Sequence, residues 1–166
     1  MKNLLYIPCV ALVLLCAPVI FGQSTEEAEL TIQGEGLAPM ALGLERIRNM
    51  PSISLELMDR DQGPQTFKGV PLEKLLNLAG VSLGPQLRGE NMAKYVLVTA
   101  ADGYQVVFSL AELDPMLSGN SVLLAYEKDG KTLEPGYGPL RLVVPQDKKR
   151  ARWLREIRTI SILIAN

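Results

Sequence analysis

Histidine is absent from this sequence of 166 residues, and cysteine occurs only at Cys9 and Cys16. Both cysteines lie in the opening apolar run, so the chain that follows this run has neither a thiol nor an imidazole. Ser-His and Cys-His nucleophiles, Cys/His zinc sites and thiolate-held redox metals all need one of these groups. The residues after Cys16 therefore cannot supply such a site by themselves.

Long hydrophobic runs are also scarce, and the one that is present opens the chain. The stretch from Leu4 to Phe21 carries no charge and ends at the small residue Gly22. This pattern predicts a signal peptide over residues 1–22 and a periplasmic or secreted protein. An uncleaved anchor is the alternative, because the run is close to the ~18 residues of a spanning helix. Pro8 and Pro18 interrupt a continuous helix and favour cleavage.

Neither sign of charge dominates. The 17 basic and 18 acidic residues give a net charge of −1, which favours neither nucleic acid nor, after signal cleavage, a membrane as a partner. Residues 23–29 are polar and acidic, and we predict a disordered lead-in there. The remaining residues, 30–166, are enough for one compact domain with a hydrophobic core and no disulfide.

Short strand-like runs alternate with brief helical ones after residue 29. Period-two alternation or dense β-branched content predicts strands at Glu29–Gly34, Ile53–Leu57, Thr66–Lys68, Tyr95–Thr99, Tyr104–Phe108, Val122–Tyr126, Leu140–Val144 and in the later part of Trp153–Ile164. Helices are predicted at Leu42–Met50, from Pro71 to Ala79, and from a capping box at Ser109 that Pro115 ends; Ser82–Ala93 is predicted as a polar connection. The fold class is therefore α+β and mainly β, in a single compact domain with short helices.

The densest charge in the chain follows the predicted strand that ends at Pro145. Six cations fall between residues 148 and 158, and they include Lys148, Lys149, Arg150 and Arg152. Guanidinium forks suit bidentate contact with phosphate or carboxylate, so the run is a candidate anion site. A solvated basic edge partly paired with Glu156 explains the same pattern.

Arg141 and Tyr137 are further candidates for ligand binding. Arg141 interrupts an apolar strand, so it either donates into a ligand cleft or faces solvent and pairs with Glu127 or Glu134. Tyr137 lies between glycines and prolines, where an aromatic ring either stacks on a flat ligand or covers the core. Trp153, with apolar neighbours, is predicted to pack in the core. The carboxylates Asp59, Asp61, Glu112 and Asp114 are explained by turns and helix ends rather than by a metal site.

Four blocks of sequence, in order, resemble the sulfite-oxidase-type molybdopterin-binding domain family. They are Phe67-Lys68-Gly69-Val70-Pro71-Leu72, Leu123 to Leu133 with Ala125-Tyr126 and Asp129-Gly130, Gly138-Pro139-Leu140-Arg141-Leu142-Val143-Val144-Pro145, and Arg152-Trp153-Leu154 with Ile157. The resemblance covers roughly residues 30–164 and implies the fold of that family. It also implies that the basic run corresponds to a region that binds the phosphate of molybdopterin.

Enzymes of the family hold molybdenum through the pterin dithiolene and one protein cysteine, which precedes the first of these blocks. The corresponding stretch here, Ile53–Thr66, has no cysteine. The first hypothesis is therefore a short binding module with no catalytic residue and no protein-ligated metal. It would hold molybdopterin or another anion through Tyr137, Arg141, Lys148, Lys149, Arg150 and Arg152. Two alternatives stay open: an oxidoreductase, alone or completed by a partner, and a non-catalytic domain that binds another exported protein through its strand edges.

Overall fold

The computed structural model describes residues 30–59 and 62–165. The predicted signal peptide and the predicted disordered lead-in lie outside these residues. In chain order the strands are β1 (Leu30–Gly34), β2 (Met40–Leu42), β3 (Ile53–Asp59), β4 (Gly63–Pro71), β5 (Lys94–Ala100), β6 (Gln105–Ser109), β7 (Leu123–Lys128), β8 (Lys131–Thr132), β9 (Arg141–Val143) and β10 (Ile157–Ile164). The helices are α1 (Leu44–Arg48), α2 (Leu72–Leu78) and α3 (Leu110–Leu113).

Two five-stranded sheets contain all of these strands. The first has the order β2-β1-β10-β5-β6, in which β1 and β10 are parallel and the other neighbours are antiparallel. In the second, β3, β4 and β7 are antiparallel neighbours, and β8 and β9 both pair with β7. The predicted strands at Tyr95–Thr99 and Tyr104–Phe108 are confirmed as the hairpin β5–β6, and the strand predicted in the later part of Trp153–Ile164 is confirmed as β10. The mainly β, α+β fold class is confirmed as well.

Local sequence features determine where α2 and α3 begin. Pro71 is the last residue of β4 and caps α2, so the helix begins at Leu72 and not at the proline as predicted. The Ser109 hydroxyl accepts the backbone N–H of Glu112 at 3.1 Å, which is one half of the predicted capping box. The other half is missing, because the Glu112 carboxylate binds an arginine instead. The predicted polar connection contains two 3-10 turns, at Gly84–Gln86 and Gly89–Ala93.

One hydrophobic core lies between the sheets. The first sheet contributes alternating residues such as Ile32, Val98 and Phe108, as expected of strands with one buried face. The second contributes Phe67 and the continuous buried run Leu123–Tyr126. None of the helices among the described residues is both long and apolar enough to span a membrane.

A loop at residues 144–156, here called the basic loop, folds back onto the second sheet after β9. The backbone N–H of Leu142 donates to Leu154 at 2.8 Å, and the indole N–H of Trp153 donates to the Val144 carbonyl at 2.9 Å. Trp153 also meets Phe67 edge to face, with ring centroids 5.7 Å apart. Trp153 is only 8% exposed, which confirms its predicted core position and fixes the loop beside β9.

Candidate functional site

Arg141 is the centre of an aromatic and cationic cluster on β9. Its guanidinium carbon lies 5.1 Å from the Tyr137 ring centroid, 5.6 Å from that of Trp153 and 5.8 Å from that of Phe67. These distances are within the range of cation–π attraction. The expected pairing with Glu127 or Glu134 does not occur among the described residues. The flat faces of three rings therefore hold this charge in place of a carboxylate.

The Nε atom of Arg141 is buried and has no hydrogen-bond partner. Buried donors are nearly always satisfied, and leaving one unpaired costs about 1–3 kcal/mol. Burial lowers the pKa of Arg141, and the adjacent positive charge of Arg150 lowers it further. Both effects disfavour the charged form. An anion beside the guanidinium would favour the charged form.

Two further arginines surround the same aromatic rings. Arg150 lies with its guanidinium carbon 4.5 Å from the Trp153 centroid, and that of Arg155 lies 5.3 Å from the Tyr137 centroid. Arg150 is also bound to the Asp59 carboxylate at 2.6 Å. Three guanidinium groups therefore converge on Tyr137 and Trp153. Of these three, only Arg150 forms an ion pair with a carboxylate within 4 Å among the described residues.

Arg150 lies between two clefts. The larger cleft, of about 540 Å³, is lined by Leu57, Met58, Asp59, Pro145, Asp147, Lys148, Lys149, Arg150 and Trp153. The other, of about 490 Å³, is lined by Gln62, Gln65, Lys128, Asp129, Lys131, Thr132, Leu133, Glu134, Tyr137, Arg141 and Arg150. The predicted site residues Tyr137, Arg141, Lys148, Lys149 and Arg150 are thus brought to two adjoining openings.

Arg152 lies apart from these clefts. It donates two hydrogen bonds to Asp147, at 2.8 and 2.6 Å, and one to Glu112 at 2.8 Å, and its guanidinium carbon lies 4.5 Å from the Phe108 centroid. The hydrogen bonds to Asp147 and Glu112 raise the pKa of Arg152, although its partial burial opposes them. The 3-10 turn at Arg150–Arg152 sends Arg150 towards Trp153 and Arg152 towards Phe108. The basic run is therefore divided between a structural ion-pair network and a set of residues that face the clefts.

Sequence reasoning missed three residues that shape the site. Asp59 and Glu112 were assigned to a turn and a helix end, yet they bind Arg150 and Arg152. Glu156, the expected partner of the basic run, forms no ion pair with it among the described residues. Arg155 was recognised only as one more charge in the run. Ion pairs between distant segments leave no periodic signal in a sequence, so these partners could not have been found in this way.

No group of three or more His, Cys, Asp or Glu side chains is placed to hold a metal ion within residues 30–59 and 62–165. The two cysteines, Cys9 and Cys16, lie outside that range. Six guanidinium or ammonium groups line the two clefts beside four carboxylates, and cationic groups of this kind bind anions.

The sequence profile of the oxidoreductase molybdopterin binding domain matches residues 17–162, most of the chain. The chain belongs to this family. The match confirms the resemblance seen in the four sequence blocks, and it begins before residue 30, where the compact domain was predicted to start.

A solved structure supports the fold of the molybdopterin-binding family. The sulfane dehydrogenase SoxCD from Paracoccus pantotrophus matches this chain with a TM-score of 0.61 and 23% sequence identity. The match covers 81% of this chain and 37% of that chain, so this protein spans well under half the length of its structural relative. No curated protein matches the sequence.

The clefts suit part of the cofactor after which the family is named. Molybdopterin carries a phosphate and a flat ring system. The phosphate binds to cationic side chains, and the flat ring system stacks on an aromatic ring or a guanidinium plane. The unpartnered Nε of Arg141, the Arg150 fork and the Tyr137 ring, which is 42% exposed, offer these features. The described residues thus fit the anionic and planar parts of the group, and they contain no thiolate for its metal.

Proposed function

We propose that this protein is an exported binding module of the oxidoreductase molybdopterin-binding family. It holds an anionic, pterin-like ligand at the two clefts that share Arg150, and it contributes no catalytic residue and no metal ligand of its own. The observation that carries the proposal is the buried, unpartnered Nε of Arg141, in a cleft that is otherwise rich in cations.

Each residue has a distinct role in this proposal. Arg141 attracts an anionic group of the ligand through its guanidinium charge, and the rings of Tyr137 and Trp153 hold the guanidinium in place. Lys148 and Lys149, both exposed at the larger cleft, supply charge for a phosphate without fixed geometry. Bound molybdopterin would supply the dithiolene sulfurs that hold a molybdenum ion, and with it a centre for two-electron oxygen-atom transfer.

Asp59 determines which edge of the Arg150 guanidinium remains available to a ligand. The ion pair at 2.6 Å satisfies one edge of the Arg150 guanidinium, while its face remains against Trp153. A planar guanidinium has five N–H donors, so an anion can bind Arg150 without displacing Asp59. In this proposal Asp59 orients Arg150 between the clefts.

Export is part of the proposal and is supported by the sequence alone. The uncharged stretch Leu4–Phe21 follows the basic residue Lys2 and ends at the small residue Gly22, as in a signal peptide. Cleavage after Gly22 removes Cys9 and Cys16, which are the only thiols in the chain. The exported product then has no thiolate with which to bind a transition metal directly.

Analysis of native material tests the proposal most directly. The full chain is expressed in a host that makes molybdopterin, and the exported protein is purified and sequenced from its N-terminus. Pterin is measured after oxidation to a fluorescent product, and molybdenum is measured by elemental analysis. We expect a stoichiometric amount of a pterin or another organic anion, and an N-terminus at Gln23.

Variants of Arg141 provide the matched control. Arg141→Gln removes the charge, and we expect the bound pterin to fall about tenfold or more, as for the loss of a hydrogen bond to a charged group. Arg141→Lys keeps the charge but not the fork and should retain an intermediate amount. Arg88→Gln, on the exposed surface, should leave the content unchanged. Equal content in all three variants would contradict the proposal, and stoichiometric molybdenum with turnover would favour an oxidoreductase instead.

A further inference from the structure

Strand β6 forms an open edge of the first sheet. Its five residues, Gln105–Ser109, carry no charge, no proline and no bulge. Natural proteins normally protect such an edge with a charge, a proline, a bulge or a very short strand. The side chains that point to solvent, Gln105, Val107 and Ser109, are all exposed, and Val107 is 50% exposed.

The other edges of the two sheets have the protection that β6 lacks. Strand β2 has only three residues and follows Pro39. Strand β3 carries Glu56 and Asp59, and the short strands β8 and β9 carry Lys131 and Arg141. Within the described residues, β6 is thus the edge most open to pairing with another strand.

The hydrogen-bond alternation of the β5–β6 hairpin shows which backbone groups are open. The Ala100 N–H donates to the Tyr104 carbonyl at 2.9 Å, which sets the phase of the ladder. In an antiparallel ladder, bonded and non-bonded pairs alternate. Val106 and Phe108 therefore bond to β5, while the N–H and C=O groups of Gln105 and Val107 and the N–H of Ser109 point away from it.

The unpaired backbone N–H and C=O groups of β6 can form hydrogen bonds with the same groups of a second copy. If a second copy of β6 lies antiparallel with Val107 opposite Val107, the two valines exchange N–H···O=C bonds. Each Ser109 N–H then faces a Gln105 carbonyl. This arrangement makes about four main-chain hydrogen bonds and places an apolar pair at the centre with a polar pair on each side. Leu97 of β5 lies opposite Val107 and is only partly buried, so it widens the apolar centre.

We propose that the protein forms a two-fold symmetric homodimer in which β6 of one copy pairs with β6 of the other to make a continuous ten-stranded sheet. Strand β6 lies at the end of the sheet opposite β2 and lines none of the clefts described above. The pairing uses no residue that lines either cleft, so it can be tested independently of the ligand.

Sedimentation of the purified protein over a concentration series, up to roughly 0.5 mM, tests the proposal. We expect a monomer–dimer equilibrium. Val107→Lys places two like charges opposite each other and should raise the dimer dissociation constant roughly tenfold or more. The matched control is Ser54→Lys, on the exposed edge of β3, which should leave the constant unchanged. A monomer at every concentration, or equal effects of the two variants, would overturn the proposal.

A cross-link provides a second measurement that does not depend on the stability of Val107→Lys. Opposed residues of a bonded antiparallel pair have Cα atoms about 5.5 Å apart, which lies within the range of a disulfide. With Cys9 and Cys16 changed to serine, Val107→Cys should form a covalent dimer on mild oxidation, and Ser54→Cys should not. The reverse result, or no cross-link in either variant, would contradict pairing through β6.

Discussion

Arg141 and Arg152 show how one residue type acquires two roles in the same small region. Arg152 is surrounded by acceptors from Asp147 and Glu112, whereas Arg141 is surrounded by aromatic rings and keeps a free donor. The first arrangement is complete without a ligand and therefore stabilises the fold. The second arrangement leaves a guanidinium without a carboxylate partner, so an anionic ligand that binds there gains free energy of binding.

Replacing Arg152 tests this distinction in a single variant. Arg152→Ala leaves Asp147 and Glu112 without their common partner, and we expect the free energy of unfolding to fall by about 1–2 kcal/mol. The content of bound pterin per folded molecule should remain that of the unchanged chain. The measurements are chemical denaturation and the fluorescent pterin assay.

The control for this variant is Arg48→Ala, which breaks the exposed pair with Glu45 on α1. A surface pair of this kind contributes little, so the expected loss is below about 0.5 kcal/mol. If the two variants lost equal stability, the network around Arg152 would not be structural. A loss of pterin in Arg152→Ala alone would return this residue to the ligand site.

At the scale of the elements, the close pairing of β4 with β7 determines where β9 and its arginine lie. Gly69 faces the β7 backbone so closely that a Cβ atom there would lie 2.2 Å from the Leu124 carbonyl oxygen. The register of the two strands shifts at the same point, between Lys68 and Gly69. Since β9 pairs with the other edge of β7, the position of Arg141 depends on this contact.

Gly69→Ala should therefore separate the two strands. We expect a loss of about 1–3 kcal/mol or more in the free energy of unfolding, as for an overpacked core. Gly119→Ala adds the same methyl group where nothing lies within 4 Å and should change stability by less than about 0.5 kcal/mol. Thermal and urea denaturation of the two variants provide the comparison. Similar free energies of unfolding for the two variants would mean that β4 and β7 can separate without loss of stability.

The hairpin between β7 and β8 depends on a turn that its local sequence determines. Asp129-Gly130 forms its two-residue loop, with φ values of 51° and 74°. A tight hairpin turn requires positive φ at both positions, and Asp-Gly is one of the pairs that adopt it readily. The local sequence was sufficient here because the requirement itself is local.

At the scale of the whole molecule, a single core shared by two sheets implies cooperative unfolding. Residues of both sheets and of the basic loop belong to one cluster of buried side chains. Trp153, the only tryptophan in the chain, connects the loop to Phe67 of the second sheet. The loop should therefore unfold together with the sheets.

We expect urea denaturation followed by Trp153 fluorescence and by far-ultraviolet circular dichroism to give the same midpoint. Addition of a bound anion should raise both midpoints together, because a ligand of the folded state stabilises the whole cooperative unit. A fluorescence transition at lower urea than the dichroism transition would show that the basic loop opens on its own, contrary to this expectation.

The sequence by itself determined eight of the ten strands, the core position of Trp153 and the family, but neither β2 nor β8. Periodicity of two, turn pairs and family motifs are properties of neighbouring residues, so they can be recognised without coordinates. The same local view identified Arg141, Tyr137 and the basic run as candidates, because a charge within an apolar strand and a dense run of cations are visible in one dimension.

Only the tertiary structure decided which of these residues are satisfied and which are open. Arg152 and Glu112 are 40 positions apart in the sequence, and Arg150 of the basic loop binds Asp59 at the end of β3. Pairing depends on distances between segments that the fold brings together, and electrostatic attraction falls with distance in space rather than along the chain. The free Nε of Arg141 and the open edge of β6 are features of that arrangement, and both proposals rest on it.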